Sequence, residues 1–269
     1  MITTKFPPNL PKQLVLELTP KCNYNCPFCY CLWHEFPELA KKVLTFEQWC
    51  KVISSAAERG CKKFLLTGGE PLLRRDLNDL IQFAAAIPGV KLSLFTNASR
   101  VTEQQLLFFQ KHHVKLATSL QGLRTYAEMT GTKRKFYKTI EFIARCRELN
   151  FPCSVGITAT AVNLPEMEEI VSAAAFAGAA AIQVSVFMNA GRGKSNPDFA
   201  LTHKQWSCLK EKIRKLPCGK SVVFSEEFEC ACMTDNQFKC PAGTSFGTIS
   251  PNGVYRKCLH FYAGLQNGL

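Results

Sequence analysis

The chain has 269 residues, 46% of them apolar, and a formal net charge of +12. A chain of that size and composition packs as one large α/β domain, or as a domain with a small added module. No apolar run approaches the ~20 residues of a membrane span, no signal-peptide core opens the chain, and the scattered lysines form no nucleic-acid motif, so a cytoplasmic protein is expected, with neither membrane nor nucleic acid as a partner.

Apolar, β-rich runs alternate with helical patterns, the mark of a parallel sheet with helical crossovers. The first strand is expected over residues 13–19, halted by Pro20, with a cysteine-rich loop after it. Thr45 with Gln48 reads as a capping box opening the first helix. Residues 64–67 form the second strand, and Asp76 and Asp79 open the second helix. Residues 92–96 form the third strand, and Thr102 with Gln105 caps the third helix. A strand over 115–120, a helix over 136–149 and a strand over 153–160 follow. Asn163 with Glu166 is expected to cap an Ala-rich fifth helix. A strand over 181–187 and a helix over 202–216 complete six βα repeats, two short of a closed eight-stranded barrel. Chemistry in such sheets sits at the carboxyl ends of the strands.

The chain contains fourteen cysteines and no export signal, which favours metal ligation over disulfides. Cys22, Cys26 and Cys29 stand in a C-x3-C-x2-C array directly after the first strand. Three thiolates on one short loop suit the irons of a single iron–sulfur cluster. They leave one iron of a cubane without a protein ligand, and an open metal position is where a substrate or cofactor binds. A zinc knuckle or a set of unrelated buried thiols is the plainer alternative. The array, with Phe28 before its third cysteine, resembles the signature of the radical S-adenosylmethionine (SAM) superfamily. That resemblance implies a [4Fe–4S] cluster on Cys22, Cys26 and Cys29, with SAM chelated by the open iron. Reductive cleavage of SAM would then yield a 5′-deoxyadenosyl radical that takes hydrogen from substrate. It also implies an α/β fold, a partial (β/α)6 TIM-like barrel whose gap admits a bulky substrate.

Further stretches at strand ends carry the same resemblance. Residues 67–71 read TGGEP, similar to the family's GGEP motif, which implies that Gly68, Gly69 and Glu70 position the SAM amino group. Adjacent glycines let a backbone approach a ligand closely, and an ammonium needs acceptors of the kind a carbonyl and Glu70 supply. Asn97 ends the third strand, either lining the pocket or making an Asx turn. Residues 118–122 read TSLQG, resembling a family SLDG stretch whose Ser contacts SAM; Ser119 takes that place, while Gln121 departs from the acidic residue. TGTKRKF, at 130–136, resembles the TG…F run of peptide-modifying members, and its triplet Lys133, Arg134 and Lys135 reads as a solvated loop or as a contact to SAM or substrate. Gly156 and Ile157 on the fifth strand would suit a flat adenine. The Gly-rich NAGRGK loop at 189–194 reads as loop geometry, or as an anion contact from Arg192. His112 and His113 read as surface residues at a helix end. Cys50, Cys61, Cys146, Cys153 and Cys208 read as small core fillers, and Cys31 as a neighbouring free thiol.

A second cysteine set, Cys218, Cys230, Cys232, Cys240 and Cys258, fills the last quarter. Between Cys240 and Cys258 lies a hairpin signal, a strand from Gly247 followed by the turn Pro251-Asn-Gly. The stretch resembles the first part of a SPASM or twitch domain, which implies an auxiliary iron–sulfur cluster on Cys240, Cys258 and an upstream Cys232 or Cys230. A zinc ribbon or a redox pair is the alternative. The later cysteines of SPASM domains have no counterpart here, so a reduced auxiliary site or a truncated chain is expected.

The domains are accordingly expected at 12–200, a radical SAM partial barrel, and at 201–269, a linker helix with a small C-terminal β-hairpin Fe–S module. The expected activity is radical SAM chemistry in maturing a ribosomally made peptide. The open barrel suits a peptide, and no separate leader-binding domain fits before Leu14. Expected partners are a peptide or small-molecule substrate and a reducing protein such as a flavodoxin or ferredoxin. A cofactor-pathway enzyme of tetrapyrrole or molybdopterin synthesis is the alternative within enzymes. A non-catalytic iron–sulfur electron carrier or sensor is the alternative outside them.

Overall fold

The computed structural model describes residues 4–225, 241–260 and 262. Its strands are β1 (Gln13–Glu17), β2 (Lys63–Thr67), β3 (Lys91–Phe95), β4 (Lys115–Ser119), β5 (Cys153–Ala159), β6 (Ala181–Val186), β7 (Val222–Phe224), β8 (Phe246–Ile249) and β9 (Tyr255–Arg256). Its helices are α1 (Phe46–Glu58), α2 (Leu77–Ala85), α3 (Glu103–Lys111), the one-turn α4 (Tyr126–Thr130), α5 (Tyr137–Glu148), α6 (Met167–Ala177) and α7 (His203–Arg214). Among the described residues these nine strands form one open sheet in the order β7-β6-β5-β4-β3-β2-β1-β8-β9. Every neighbouring pair is parallel except β8 with β9. The fold is therefore a mixed α/β partial barrel.

Side chains alternate across each strand, and the alternation separates two environments. Leu14 and Leu16, Phe64 and Leu66, Leu92 and Leu94, Val155 and Ile157, and Ile182 and Val184 join one buried cluster with Trp49, Leu80, Leu106, Ile143, Ile170 and Trp206 of the helices. The helices thus cover one face. On the other face β3 to β6 present Ser93, Ala117, Ser119, Ser154, Gly156, Thr158 and Ser185, all half-buried. These small and polar residues fill less space than leucines would, and they leave the helix-free face open. Ile157 lies on the helix side, 2% exposed, so of the pair expected to flank an adenine only Gly156 faces the open side, where it meets the Phe95 ring.

The expected capping boxes form at Thr45 with Gln48 and at Thr102 with Gln105, and a third forms at Thr202 with Gln205. The expected cap at Asn163 does not. Asn163 accepts from the Thr160 N–H and donates to the carbonyls of Gln121 and Thr158. It ties the end of β5 to the end of β4, a buried use that outbids a helix cap. Asp76 stands before α2, but its carboxylate takes the fork of Arg74. Cys61, Cys146 and Cys153 are buried as expected of core fillers and Cys50 is half-buried, whereas Cys208 is exposed on α7.

The hairpin expected near Pro251 forms as β8 and β9, and it joins the same sheet. β8 runs parallel to β1, with Leu14 opposite Gly247 and Leu16 opposite Ile249. The sheet thus continues past β1 into the C-terminal segment.

Candidate functional site

All parallel strands from β1 to β6 end on one side of the molecule, and the cysteine loop after β1 is held there by its neighbours. Gly69 and Glu70 donate backbone N–H groups to the carbonyls of Thr19 and Lys21 at 2.7 and 2.8 Å. Asn25 N–H donates to the Thr130 carbonyl at 3.0 Å, and Arg192 N–H to the Cys29 carbonyl at 2.8 Å. Asn23 pairs with Asn97 and Ser99. The Tyr24 hydroxyl meets the Tyr126 hydroxyl and accepts from the Arg134 guanidinium. Phe28 packs with Met129 and Phe187. Segments that follow four strands, β2, β3, β4 and β6, therefore grip one eleven-residue stretch.

Cys22 is exposed, and Cys26 and Cys29 are half-buried. Among the described residues no three Cys, His, Asp or Glu side chains are already gathered into one metal-ligating cluster. Burial pushes the Cys26 thiol up to about 12 and raises Cys22, and in both cases a neighbouring cysteine charge adds to the rise. Cys29 is held well below the usual thiol value, chiefly by a hydrogen bond from Cys31. The three thiols thus influence one another across the loop. A thiol sheds its proton on ligating a metal, so metal binding at these thiols would release protons and strengthen with rising pH. Three soft donors within eight residues of one braced loop would suit the irons of a single iron–sulfur cluster.

Gly68 and Gly69 also make a close backbone approach to the cysteine loop. A Cβ at Gly68 would lie 2.5 Å from the Thr19 carbonyl oxygen, and one at Gly69 2.2 Å from that of Lys21. Only glycine lets the turn after β2 lie flat on the base of the cysteine loop. Glu70 is fully buried. Its Oε1 accepts from the Leu72 N–H at 3.1 Å and the Thr96 hydroxyl at 2.6 Å, and its Oε2 accepts from the Asn97 N–H at 2.8 Å. The expected ammonium acceptor is thus largely spent on bracing β2 against β3, with acceptor capacity left at Oε2.

Asn97 makes the expected Asx turn with the Ser99 N–H at 2.9 Å. Ser119 is half-buried at the end of β4, on the open face. Gln121 accepts from the Thr158 N–H at 2.8 Å and stitches the ends of β4 and β5. Arg134, from the triplet read as a solvated loop or as a contact to SAM or substrate, reaches the Tyr24 hydroxyl at 3.1 Å and the Asn97 carbonyl at 3.2 Å, while Lys133 and Lys135 are exposed. His112 is half-buried and His113 exposed at the end of α3.

Of the second cysteine set, Cys230, Cys232 and Cys240 lie outside the described residues. Cys258 is buried, and its sulfur accepts from the His260 N–H at 3.3 Å. Arg256 sits two residues before it. The Arg256 guanidinium pairs with Glu17 and also bonds Ser250 Oγ and the carbonyls of Cys258 and Leu259. His260 meets the edge of Tyr30, with ring centroids 5.0 Å apart. The stem of the last cysteine therefore abuts the loop of the first three.

Several residues here escape a reading of motifs. Glu17 carried one signal, a charged residue at the end of an otherwise apolar strand. Arg256, His34 and Glu35 carried none, because they act through contacts formed only when distant segments meet.

The sequence profile of the Radical SAM superfamily matches residues 16–176. Among curated proteins, the sporulation killing factor maturation protein SkfB of Bacillus subtilis (strain 168) is 28% identical over 186 residues, covering 68% of this chain and 44% of SkfB. A PqqA peptide cyclase of Bradyrhizobium diazoefficiens is 30% identical over 169 residues, covering 60% of this chain and 43% of the cyclase. The chain thus spans less than half the length of these relatives. Among solved structures, Streptococcus suis SuiB bound to its precursor peptide SuiA superimposes with a TM-score of 0.77 at 16% identity, covering 97% of this chain and 62% of SuiB. Among the described residues no helix is long and apolar enough to cross a membrane.

Proposed function

The chain belongs to the Radical SAM superfamily, and on that premise we propose that it is an enzyme that reductively cleaves SAM to modify a ribosomally made peptide. One observation carries the reading: the Cys22–Cys26–Cys29 loop is braced at the carboxyl ends of an open parallel sheet, beside a face lined by small polar side chains. Members of this superfamily use a [4Fe–4S] cluster and SAM. In this reading Cys22, Cys26 and Cys29 hold the cluster. When bound, the cluster supplies one electron to SAM, whose cleavage yields a 5′-deoxyadenosyl radical.

The protein's own residues then have distinct tasks. Gly68 and Gly69 seat the turn after β2 against the cysteine loop. Glu70 fixes that turn to β3 and keeps an acceptor at Oε2 for the SAM ammonium. Ser119 offers a hydroxyl on the open face for the ribose or carboxylate of SAM. Gly156 gives a flat stretch of β5 on the same face. A reducing protein of the flavodoxin or ferredoxin class would deliver the electron.

The peptide part of the proposal draws on relatives. SkfB is named for maturing a killing factor, the cyclase for a peptide, and SuiB is solved with a precursor peptide. An open sheet face suits an extended chain. We further propose two regions, a radical SAM barrel over 12–200 and an auxiliary-cluster segment over 201–269, in which Cys258 joins Cys240 and Cys232 or Cys230 around a second cluster.

The test is anaerobic reconstitution with iron and sulfide, followed by SAM and dithionite. The expected product is 5′-deoxyadenosine, absent from a Cys26→Ala control. Equal amounts from both proteins would overturn the assignment. Iron counted on wild type and on Cys258→Ala separates one cluster from two.

A further inference from the structure

The loop after β6 folds back onto the cysteine loop at several points. The Arg192 backbone N–H donates to the Cys29 carbonyl at 2.8 Å, and Asn196 Nδ2 donates to the Pro27 carbonyl at 3.1 Å. A Cβ on Gly191 would lie 2.5 Å from the Cys29 carbonyl oxygen and 2.7 Å from that of Cys31. The backbone around residue 192 therefore rests directly against the third cysteine of the array.

The Arg192 side chain is only partly used. Its Nε and Nη2 reach His34 Nε2 at 3.2 and 3.0 Å. Its Nη1 is buried and has no hydrogen-bond partner among the described residues. The nearby carboxylate of Glu35 is taken, by the Gly191 N–H at 2.6 Å and by Lys194 Nζ at 2.8 Å. Among the described residues Arg192 makes no ion pair. Arg134, the other arginine against this loop, is committed to the Tyr24 hydroxyl and the Asn97 carbonyl.

A guanidinium cannot lose its proton, so a buried, uncommitted N–H beside the loop is a standing demand for an anion. The backbone of residue 192 rests on the third cysteine of the array, so the thiol loop is what lies beside this side chain. An iron–sulfur cluster on thiolates is anionic, and one-electron reduction makes it more so. Net charge and hydrogen bonds to sulfur are among the determinants of such a cluster's potential.

We propose that Arg192 is a positioning residue that turns its free Nη1–H and its charge toward the anionic cluster on Cys22, Cys26 and Cys29, and so raises that cluster's reduction potential. This rests on the cluster reading given above. The arginine does not touch the reacting atoms; it acts through the cluster. His34 holds two of the three guanidinium nitrogens and so fixes the direction of the third.

The experiment is an EPR-monitored redox titration of the full chain without SAM, on wild type, Arg192→Gln and Arg192→Lys. The signal followed is the one that Cys26→Ala abolishes, and iron is counted on each sample. Arg192→Gln keeps a donor but removes the charge. Its ratio of reduced to oxidised cluster at a fixed potential should fall about tenfold, a shift of about 59 mV to lower potential for one electron. Arg192→Lys should stay close to wild type. A glutamine variant that loses iron while the lysine variant keeps it also upholds a cationic role. A glutamine variant that titrates with wild type overturns the proposal. Loss of iron from both variants overturns it too, because the arginine would then be a loop clamp alone. A wild type with no Cys26-dependent signal overturns the cluster reading itself, and the role of Arg192 with it.

Discussion

Glu17 on β1 and Arg256 on β9 form an ion pair across the edge of the sheet, each about 1% exposed at the side chain. The pair joins the strand that leads into the first cysteine array to the strand that leads into Cys258. Arg256 faces the same side as Glu17, because β8 lies beside β1 and Thr248 opposes Arg256. Burial pushes the Glu17 carboxyl up to about 7 even against the pull of Arg256. The pair therefore fixes position more than it stabilises, as expected where desolvation rivals the Coulomb gain.

Removing one partner of this pair should cost far more than removing both. Arg256→Met leaves the buried Glu17 without its counter-charge, and a loss of about 3–5 kcal/mol is expected. Glu17→Leu together with Arg256→Met should recover most of it, although Ser250 and the carbonyls of Cys258 and Leu259 lose their donor. Urea denaturation of Arg256→Met, Glu17→Leu and the double variant gives the comparison. Additive losses in the double variant would contradict the coupling.

Gly191 is expected to tolerate no side chain. It has φ +59°, and its Cβ would meet the Cys29 carbonyl oxygen at 2.5 Å. Gly191→Ala should therefore cost more than the ~1–2 kcal/mol of a left-handed alanine alone, because backbone on both sides must shift. Gly60→Ala is the control: its φ is +90°, but nothing lies within 4 Å of its Cβ. A denaturation midpoint for Gly191→Ala equal to that for Gly60→Ala would contradict the close packing of the two loops.

Glu166 carries a pH dependence far from the cysteines. It is buried, which alone would raise its pKa, yet hydrogen bonds from the Thr125 hydroxyl and from the backbone N–H groups of Leu123, Arg124 and Thr125 bring it below the ordinary value. A carboxylate depressed in the folded state contributes stability at pH above its unfolded value, and that contribution disappears as pH falls through the folded value. Glu166→Gln should lower stability at pH 7 by about 1–3 kcal/mol. It should also flatten the loss seen in wild type on acidification below about 4.5, the unshifted value. Parallel curves for the two proteins across pH 3–6, an arbitrary span of roughly three units around the carboxylate range, would refute the assignment.

Strands β1 to β6 and the main helices were legible because their signals are local, whereas the short β7 was not foreseen. The alternation in SVGITA and the Thr-x-x-Gln caps need no distant partner, and observed boundaries fall within a residue or two of those expected. The motifs after β1 and β2 were legible as positions, but the task of Gly68 and Gly69 was not. Their contacts are with Thr19 and Lys21, some fifty residues earlier, and nothing in a GG pair says which backbone lies against it. Asn163 and Glu166 misled for a related reason. Their spacing matches a cap, yet the loop ends after β4 offered each a buried partner that a helix start did not. Arg192 was legible as a possible anion contact in a Gly-rich loop. That its guanidinium would be held by His34 was not, since the two lie 158 residues apart.

Cys31 tests whether the ligand set stops at three. It is two residues beyond Cys29 and buried, in a small cluster with Leu32, Trp33, Leu39 and Ala190. Its sulfur reaches the Gly68 carbonyl at 3.7 Å. A thiol engaged with a carbonyl and packed among apolar side chains is placed as a brace under the loop, not as a fourth ligand. Cys31→Ala should then keep the iron content of wild type, with a stability loss of about 1 kcal/mol for the weak hydrogen bond and the small void. Cys29→Ala should lose the cluster while unfolding near the wild-type midpoint of the metal-free protein, because Cys29 is only half-buried. The two variants differ by the same sulfur atom at neighbouring positions, so their iron contents separate ligation from support directly. Equal iron loss in both would make Cys31 a ligand and would close the open iron on which SAM binding depends.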